Sequence, residues 1–143
     1  MKLTILGSGT AIVTARRGSS GYLINIADKT LLLDSGSGTL RKIAEASVNF
    51  KDIDYAIYTH FHPDHVVDLI SLLFALRIPS NYKGKDLTVI GPAGMKEFHR
   101  NLTKVFNNFI ESRGYELTVN ELPGGHLDFE EFGLTSSLIN HHE

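Results

Sequence analysis

Residues Tyr58 to Asp68 read YTHFHPDHVVD. His60, His62, Asp64 and His65 fall within six consecutive positions of that stretch. Imidazole and carboxylate are the donors that suit zinc and similar divalent ions. A histidine-rich surface turn is the plainer reading, but it gives no reason for an aspartate set among the histidines behind a strand. A short apolar run, Asp54 to Tyr58, precedes the cluster, and a long one, Val66 to Ile78, follows it. The cluster therefore belongs where a strand gives way to a helix, on scaffolding rigid enough to hold a site.

His60 and His62 are two apart and point the same way if the chain is extended there. Pro63 restricts the residue before it and turns the chain, so Asp64 and His65 belong to the turn. His60 and His62 can then share one ion while Asp64 and His65 face a neighbouring one. A tetrahedral catalytic ion takes three protein ligands and keeps one position open. The third must come from outside the cluster, where the remaining histidines are His99, His126, His141 and His142. His99 falls on a predicted helix and His126 just after a turn. His141 and His142 close a predicted strand, where binding residues of such sheets collect.

The 143 residues suit one domain, and 42% hydrophobic with 21% charged residues is ordinary for a globular protein. The absence of cysteine leaves only nitrogen and oxygen donors for a metal. A net charge of −2 gives no overall basic field, although a local patch would not show in that total. The opening MKLTILGSG is too short for a signal peptide, and no apolar run approaches a membrane span. The expectation is a cytoplasmic protein with no membrane partner.

Taken in order, Lys2 to Leu6 reads as a strand closed by Gly7-Ser8-Gly9, whose glycines do no more than turn the chain. Arg16 and Arg17 read as solvated, with an anionic substrate as the alternative. Gly21 to Ala27 and Thr30 to Leu33 form a hairpin about Asp28-Lys29. Asp34 is expected to cap a helix over Thr39 to Ala46. Val66 to Ile78 is apolar nearly all round, which predicts a buried helix ended by Pro79. Leu87 to Ile90 is a strand. Met95, Phe98, Leu102, Val105, Phe106, Phe109 and Ile110 form the apolar stripe of a helix, with His99 solvated beside it. Strands follow over Tyr115 to Leu122, His126 to Phe132 and Leu134 to Ile139. This order predicts an α/β fold, a mixed sheet with helices on one face.

The hexapeptide HFHPDH fits the H-x-H-x-D-H signature and resembles the metallo-β-lactamase superfamily of hydrolases. Three weaker stretches resemble its ribonuclease Z-like branch: LGSGTAIVTARRGSSGYLI, LLLDSGSGTLRKI with Asp34 as the motif aspartate, and LTVIGPAGM. Together they run through nearly the whole chain in the right order. The resemblance implies an αββα sandwich, of which this chain is about the first half. It also implies two divalent ions, usually zinc, with Mn2+ or Fe2+ as alternatives. His60, His62 and a third histidine would hold the first ion, and Asp64 with His65 the second. The third ligand should end a strand with an apolar residue two before it. Ile139-Asn140-His141 fits, so His141 is expected and His142 is the fallback. Asp64 is also implied to act on a proton during turnover, which makes it the expected catalytic residue.

Pro63 departs from the glycine usual in ribonuclease Z, which widens the implied activity beyond tRNA processing. The family's fold also has a second half that supplies a bridging aspartate and a final histidine. Residues 1–143 are therefore expected to be the N-terminal part of such a domain, truncated at its C-terminus. The second ion's site would be incomplete, and an open apolar face would favour a homodimer. The implied function is a metal-dependent hydrolase using metal-activated water, first a phosphodiesterase for RNA or a cyclic nucleotide. The alternatives are an ester, thioester or lactone hydrolase, and a non-catalytic metal-binding fragment that needs a partner chain.

Overall fold

The computed structural model describes residues 1–12, 14–78 and 84–139. Six strands form one sheet in chain order: β1 (Lys2–Gly7), β2 (Gly21–Ile26), β3 (Lys29–Ser35), β4 (Tyr55–Ile57), β5 (Leu87–Gly91) and β6 (Leu117–Glu121). The first three pair antiparallel, with only Ala27 and Asp28 between β2 and β3, and β3 to β6 are parallel. Parallel neighbours need crossovers. These are supplied by α1 (Thr39–Glu45), by α2 (Pro63–Val66) with α3 (Asp68–Arg77), and by α4 (Met95–Phe106). A separate hairpin, β7 (Gly125–Asp128) with β8 (Gly133–Ser136), forms a second small sheet.

Alternation along the strands divides the core between two faces. Leu23, Leu32, Ala56, Leu87 and Val89 point to the helices and pack with Ile43 of α1, Leu69, Leu72, Leu73 and Leu76 of α3, and Met95 of α4. The four α3 leucines are at most 1% exposed, and burying each contributes about 1.5–3 kcal/mol. Leu31, Ile57 and Ile90 point the other way. There the hairpin lays Phe129 and Phe132 edge-on against Tyr55, with ring centroids 5.0 and 5.2 Å apart. The mixed sheet with helices on one face is as the sequence predicts, with the second sheet begun on the opposite face.

Several element ends differ from expectation. The helix read over Val66 to Ile78 begins earlier, at Pro63, and breaks at Val67 into α2 and α3. It is not buried all round, because Phe74 is 46% exposed. The stripe read as one helix to Ile110 leaves the α-helix at Phe106, where Asn107 takes a φ of 50° and a short 3₁₀ turn follows. Its later members Val105 and Phe109 are exposed rather than core. The last strands are shorter than read, since β7 stops at Asp128 and β8 at Ser136. Among the described residues, no helix is long and apolar enough to cross a membrane.

Candidate metal centre

The cluster sits at the carboxyl end of β4, the edge where parallel sheets place ligands. His62 is the N-cap of α2 and remains extended, at φ −59° and ψ 138°. Pro63 takes the first helical position, where a missing N–H costs nothing. The His62 carbonyl accepts from the amides of His65 and Val66 at 2.9 and 3.2 Å. His60 and His62 thus lie on extended chain, while Asp64 and His65 lie in the first turn. Between the two extended ligands, Phe61 turns inward and packs on Phe98 of α4, with centroids 4.9 Å apart.

The structure brings the three histidine rings close to one another, with Asp64 beside His65. The His60 ring lies 4.6 Å from that of His62 and 4.1 Å from that of His65. His65 Nε2 is 3.7 Å from Asp64 Oδ2. His141 and His142 lie outside the described residues. His126 is committed elsewhere, with Nδ1 2.7 Å from Thr135 Oγ1 and Nε2 2.7 Å from Asp128 Oδ1.

Asp34 is the residue that sequence reasoning misplaced. It caps nothing: the N-cap of α1 is Gly38, which has no side-chain cap. The Leu40 amide at that helix start donates instead to Asp68 Oδ2, 2.9 Å away on α3. Asp34 is buried at the end of β3, with φ 54°, a left-handed conformation that few side chains tolerate and aspartate tolerates better than most. Its Oδ1 accepts from the Thr59 amide at 2.9 Å, and Oδ2 lies 2.7 Å from His65 Nδ1. Thr59 Oγ1 is 3.0 Å from Asp34 Oδ2 and 2.9 Å from His60 Nδ1.

That network fixes where the imidazole protons sit. A carboxylate only accepts, so His65 Nδ1–H and the Thr59 hydroxyl both donate to Asp34. Thr59 has one proton, already used, so Nδ1–H of neutral His60 donates to Thr59 Oγ1. Both rings then carry their lone pair on Nε2, the form in which histidine binds a metal with its other nitrogen held by a carboxylate-based support. Among the described residues, no three His, Asp or Glu side chains converge as a complete coordination sphere. The donor chemistry and the support behind it nevertheless fit a divalent ion.

Neighbouring contacts hold this arrangement in place. Tyr58 Oη and Ser35 Oγ are 2.8 Å apart in the core, and burial pushes the Tyr58 phenol well above its ordinary pKa. A Cβ on Gly36 would lie 1.9 Å from the Asp64 carbonyl oxygen, so only glycine lets the two loops approach. The available signal for Asp34 was its position, a carboxylate ending an apolar strand before Ser-Gly-Ser-Gly. His99 also departs from expectation: it is half-buried, with Nε2 shielded and unbonded, and burial lowers its pKa. Arg16 and Arg17 line a cavity of about 410 Å³ together with Arg41 and Lys42.

Residues 1–105 match the protein family described as Anti-Pycsar protein Apyc1. Ribonuclease Z of Clostridium acetobutylicum is 36% identical over 122 residues, which are 85% of this chain and 38% of that protein. Ribonuclease Z of Pyrococcus abyssi is 30% identical over 143 residues, 99% of this chain and 45% of that protein. The chain thus spans less than half the length of these curated relatives. Human tRNase Z, short form, superposes with a TM-score of 0.70 at 25% identity, covering 85% of this chain and 45% of that one. The metallo-β-lactamase fold protein YhfI from Bacillus subtilis gives 0.70 at 26%, covering 90% and 49%. The chain belongs to the family of Anti-Pycsar protein Apyc1, within the ribonuclease Z-like branch of the metallo-β-lactamase superfamily, and corresponds to the N-terminal part of that fold.

Proposed function

We propose that this chain carries the metal-holding part of a hydrolase that cleaves phosphodiesters, in RNA or a cyclic nucleotide, with water. The observation that carries this reading is the buried Asp34 carboxylate. It orients His65 directly and His60 through Thr59, so that both present Nε2 at one edge of the sheet. The curated relatives named ribonuclease Z support a phosphodiester over a carboxylic ester. His60 and His62, with His141 as third ligand and His142 as fallback, would hold one ion; Asp64 and His65 would hold another. Zinc is the first choice on donor type. Bound there, divalent ions supply Lewis acidity and an activated water near neutral pH. The part of the chain itself is to aim the imidazoles, to keep their Nδ1 protons in place, and to hold or move a proton at the Asp64 carboxylate.

Zinc- or manganese-loaded protein is expected to hydrolyse bis-p-nitrophenyl phosphate faster than a lactone panel, and His62→Ala is expected to abolish that activity. Activity that survives the substitution would rule the mechanism out. A second reading is a non-catalytic metal-binding part that works with a partner chain. It is favoured by the lack of a complete coordination sphere among the described residues. Tight zinc binding without turnover would select it.

A further inference from the structure

In the six-stranded sheet β6 is an edge strand. Two bonds fix which of its backbone groups face outward. The Leu87 amide donates to the Glu116 carbonyl at 3.0 Å, and the Leu122 amide donates to the Gly91 carbonyl at 2.8 Å. Residues 116 and 122 therefore bond toward β5. Alternate residues of a strand bond to the same parallel neighbour, so Thr118 and Asn120 face β5 as well. The amides and carbonyls of Leu117, Val119 and Glu121 face the other way, where no strand pairs with β6 among the described residues. β6 contains no Lys, no Pro and no bulge, the features that commonly close an edge.

A basic groove runs beside that edge. Lys96, Arg100 and Lys104 stand four residues apart on α4 and so share a face. They line a groove of about 930 Å³ whose other wall is Leu117 and Val119. Glu111 is the single carboxylate among its lining residues. Among the described residues none of the three cations is in an ion pair. The Lys96 amide donates to Glu121 Oε1 at 2.9 Å, so α4 starts where β6 ends and runs back alongside it.

We propose that β6 accepts an extended, acidic segment of a partner protein as a further strand. In strand addition the main chain supplies the pairing and alternate side chains supply specificity. Every second side chain of the added strand stands on the same face as Leu117 and Val119, toward α4. Two residues of strand advance about 6.6 Å, and four residues of helix about 6 Å. Carboxylates at alternate positions of the segment therefore come into step with Lys96, Arg100 and Lys104. A nucleic acid uses the cations but leaves the outward amides and carbonyls of β6 unpaired, so the open edge favours a peptide.

The probe is a fluorescein-labelled peptide of alternating Glu and Thr, in EDTA so that its carboxylates meet no metal ion. Anisotropy is expected to show saturable binding that weakens as salt rises. Lys96→Gln, Arg100→Gln and Lys104→Gln together are expected to weaken it about tenfold. Lys2→Gln with Lys51→Gln, equal in kind but away from the groove, should leave it unchanged. Amide hydrogen exchange with the peptide in excess separates strand pairing from attraction of charge. It should slow Leu117, Val119 and Glu121 and leave Thr118 and Asn120, already bonded to β5, as they were. Thermal melting checks the fold of each variant. No binding by the parent protein, wild-type affinity in the triple variant, or binding that leaves the three outward amides fast overturns the proposal. Single-stranded RNA that displaces the peptide with those amides still fast assigns the cations to nucleic acid and overturns it too.

Discussion

The Asp34 carboxylate lies 2.7 Å from His65 Nδ1, although 31 positions separate the two residues in sequence. The pair joins the end of β3 to the first turn of α2 and leaves His65 Nε2 as the nitrogen with the lone pair. Asp34→Asn keeps the volume but replaces one accepting oxygen with a donor. It is expected to weaken zinc binding about 10–100-fold, with far-UV circular dichroism unchanged. Isothermal titration of zinc checks this, and unaltered affinity would remove Asp34 from the support of the site.

Thr59 extends the same support to His60. Thr59→Val removes the hydroxyl that accepts the hydrogen bond from His60 Nδ1–H and leaves ring orientation unguided. Zinc affinity should drop by about tenfold, and Thr59→Ser should restore most of it. Affinity kept in Thr59→Val but lost in Thr59→Ser would show that the methyl group, not the hydroxyl, is what matters.

Gly36 faces the Asp64 carbonyl with no room for a side chain. Gly36→Ala should destabilise the protein by about 1–3 kcal/mol through overpacking, read as a lower urea midpoint. It should also weaken zinc binding, because the loop bearing Asp64 must move. Unchanged stability would mean that the two loops separate freely.

At high pH the buried phenols govern stability. Burial pushes Tyr115 up to about 12 and Tyr58 higher still, against 10.0 for an exposed tyrosine. An unfolded chain releases these protons first, so the folded state binds more protons above pH 10. Stability is therefore complete below about pH 10 and falls as pH rises through the folded values. Denaturant melts from pH 9 upward should show that decline, and Tyr115→Phe should lessen it. A flat profile would place both hydroxyls in water.

The sheet was legible because it is written locally. Alternation in Gly21 to Ile26 and the apolar runs LLL and YAI are short-range patterns, and the histidine cluster is contiguous. What the sequence hid is what sequence distance hides. Asp34 next to Ser-Gly-Ser-Gly has the look of a cap, and only the parallel pairing of β3 with β4 brings it to Thr59 and His65. The carboxylate that accepts from the start of α1, Asp68, comes from another helix. Pro63 reads in sequence as a turn, whereas its fixed φ suits a first helical position equally well. Val105 and Phe109 carried the helical spacing of core residues, yet the α-helix ends at Phe106 and leaves them outside. Spacing gives a helix its apolar side; it does not provide something to cover that side.

Thr59 is an exposed residue two positions beyond the end of β4, where backbone amides ordinarily trade hydrogen with water quickly. Its amide is held instead by a buried carboxylate. Hydrogen exchange at this one position therefore times how often Asp34 releases the ligand loop. It gives a clock for the opening of the site that runs without substrate, metal or turnover.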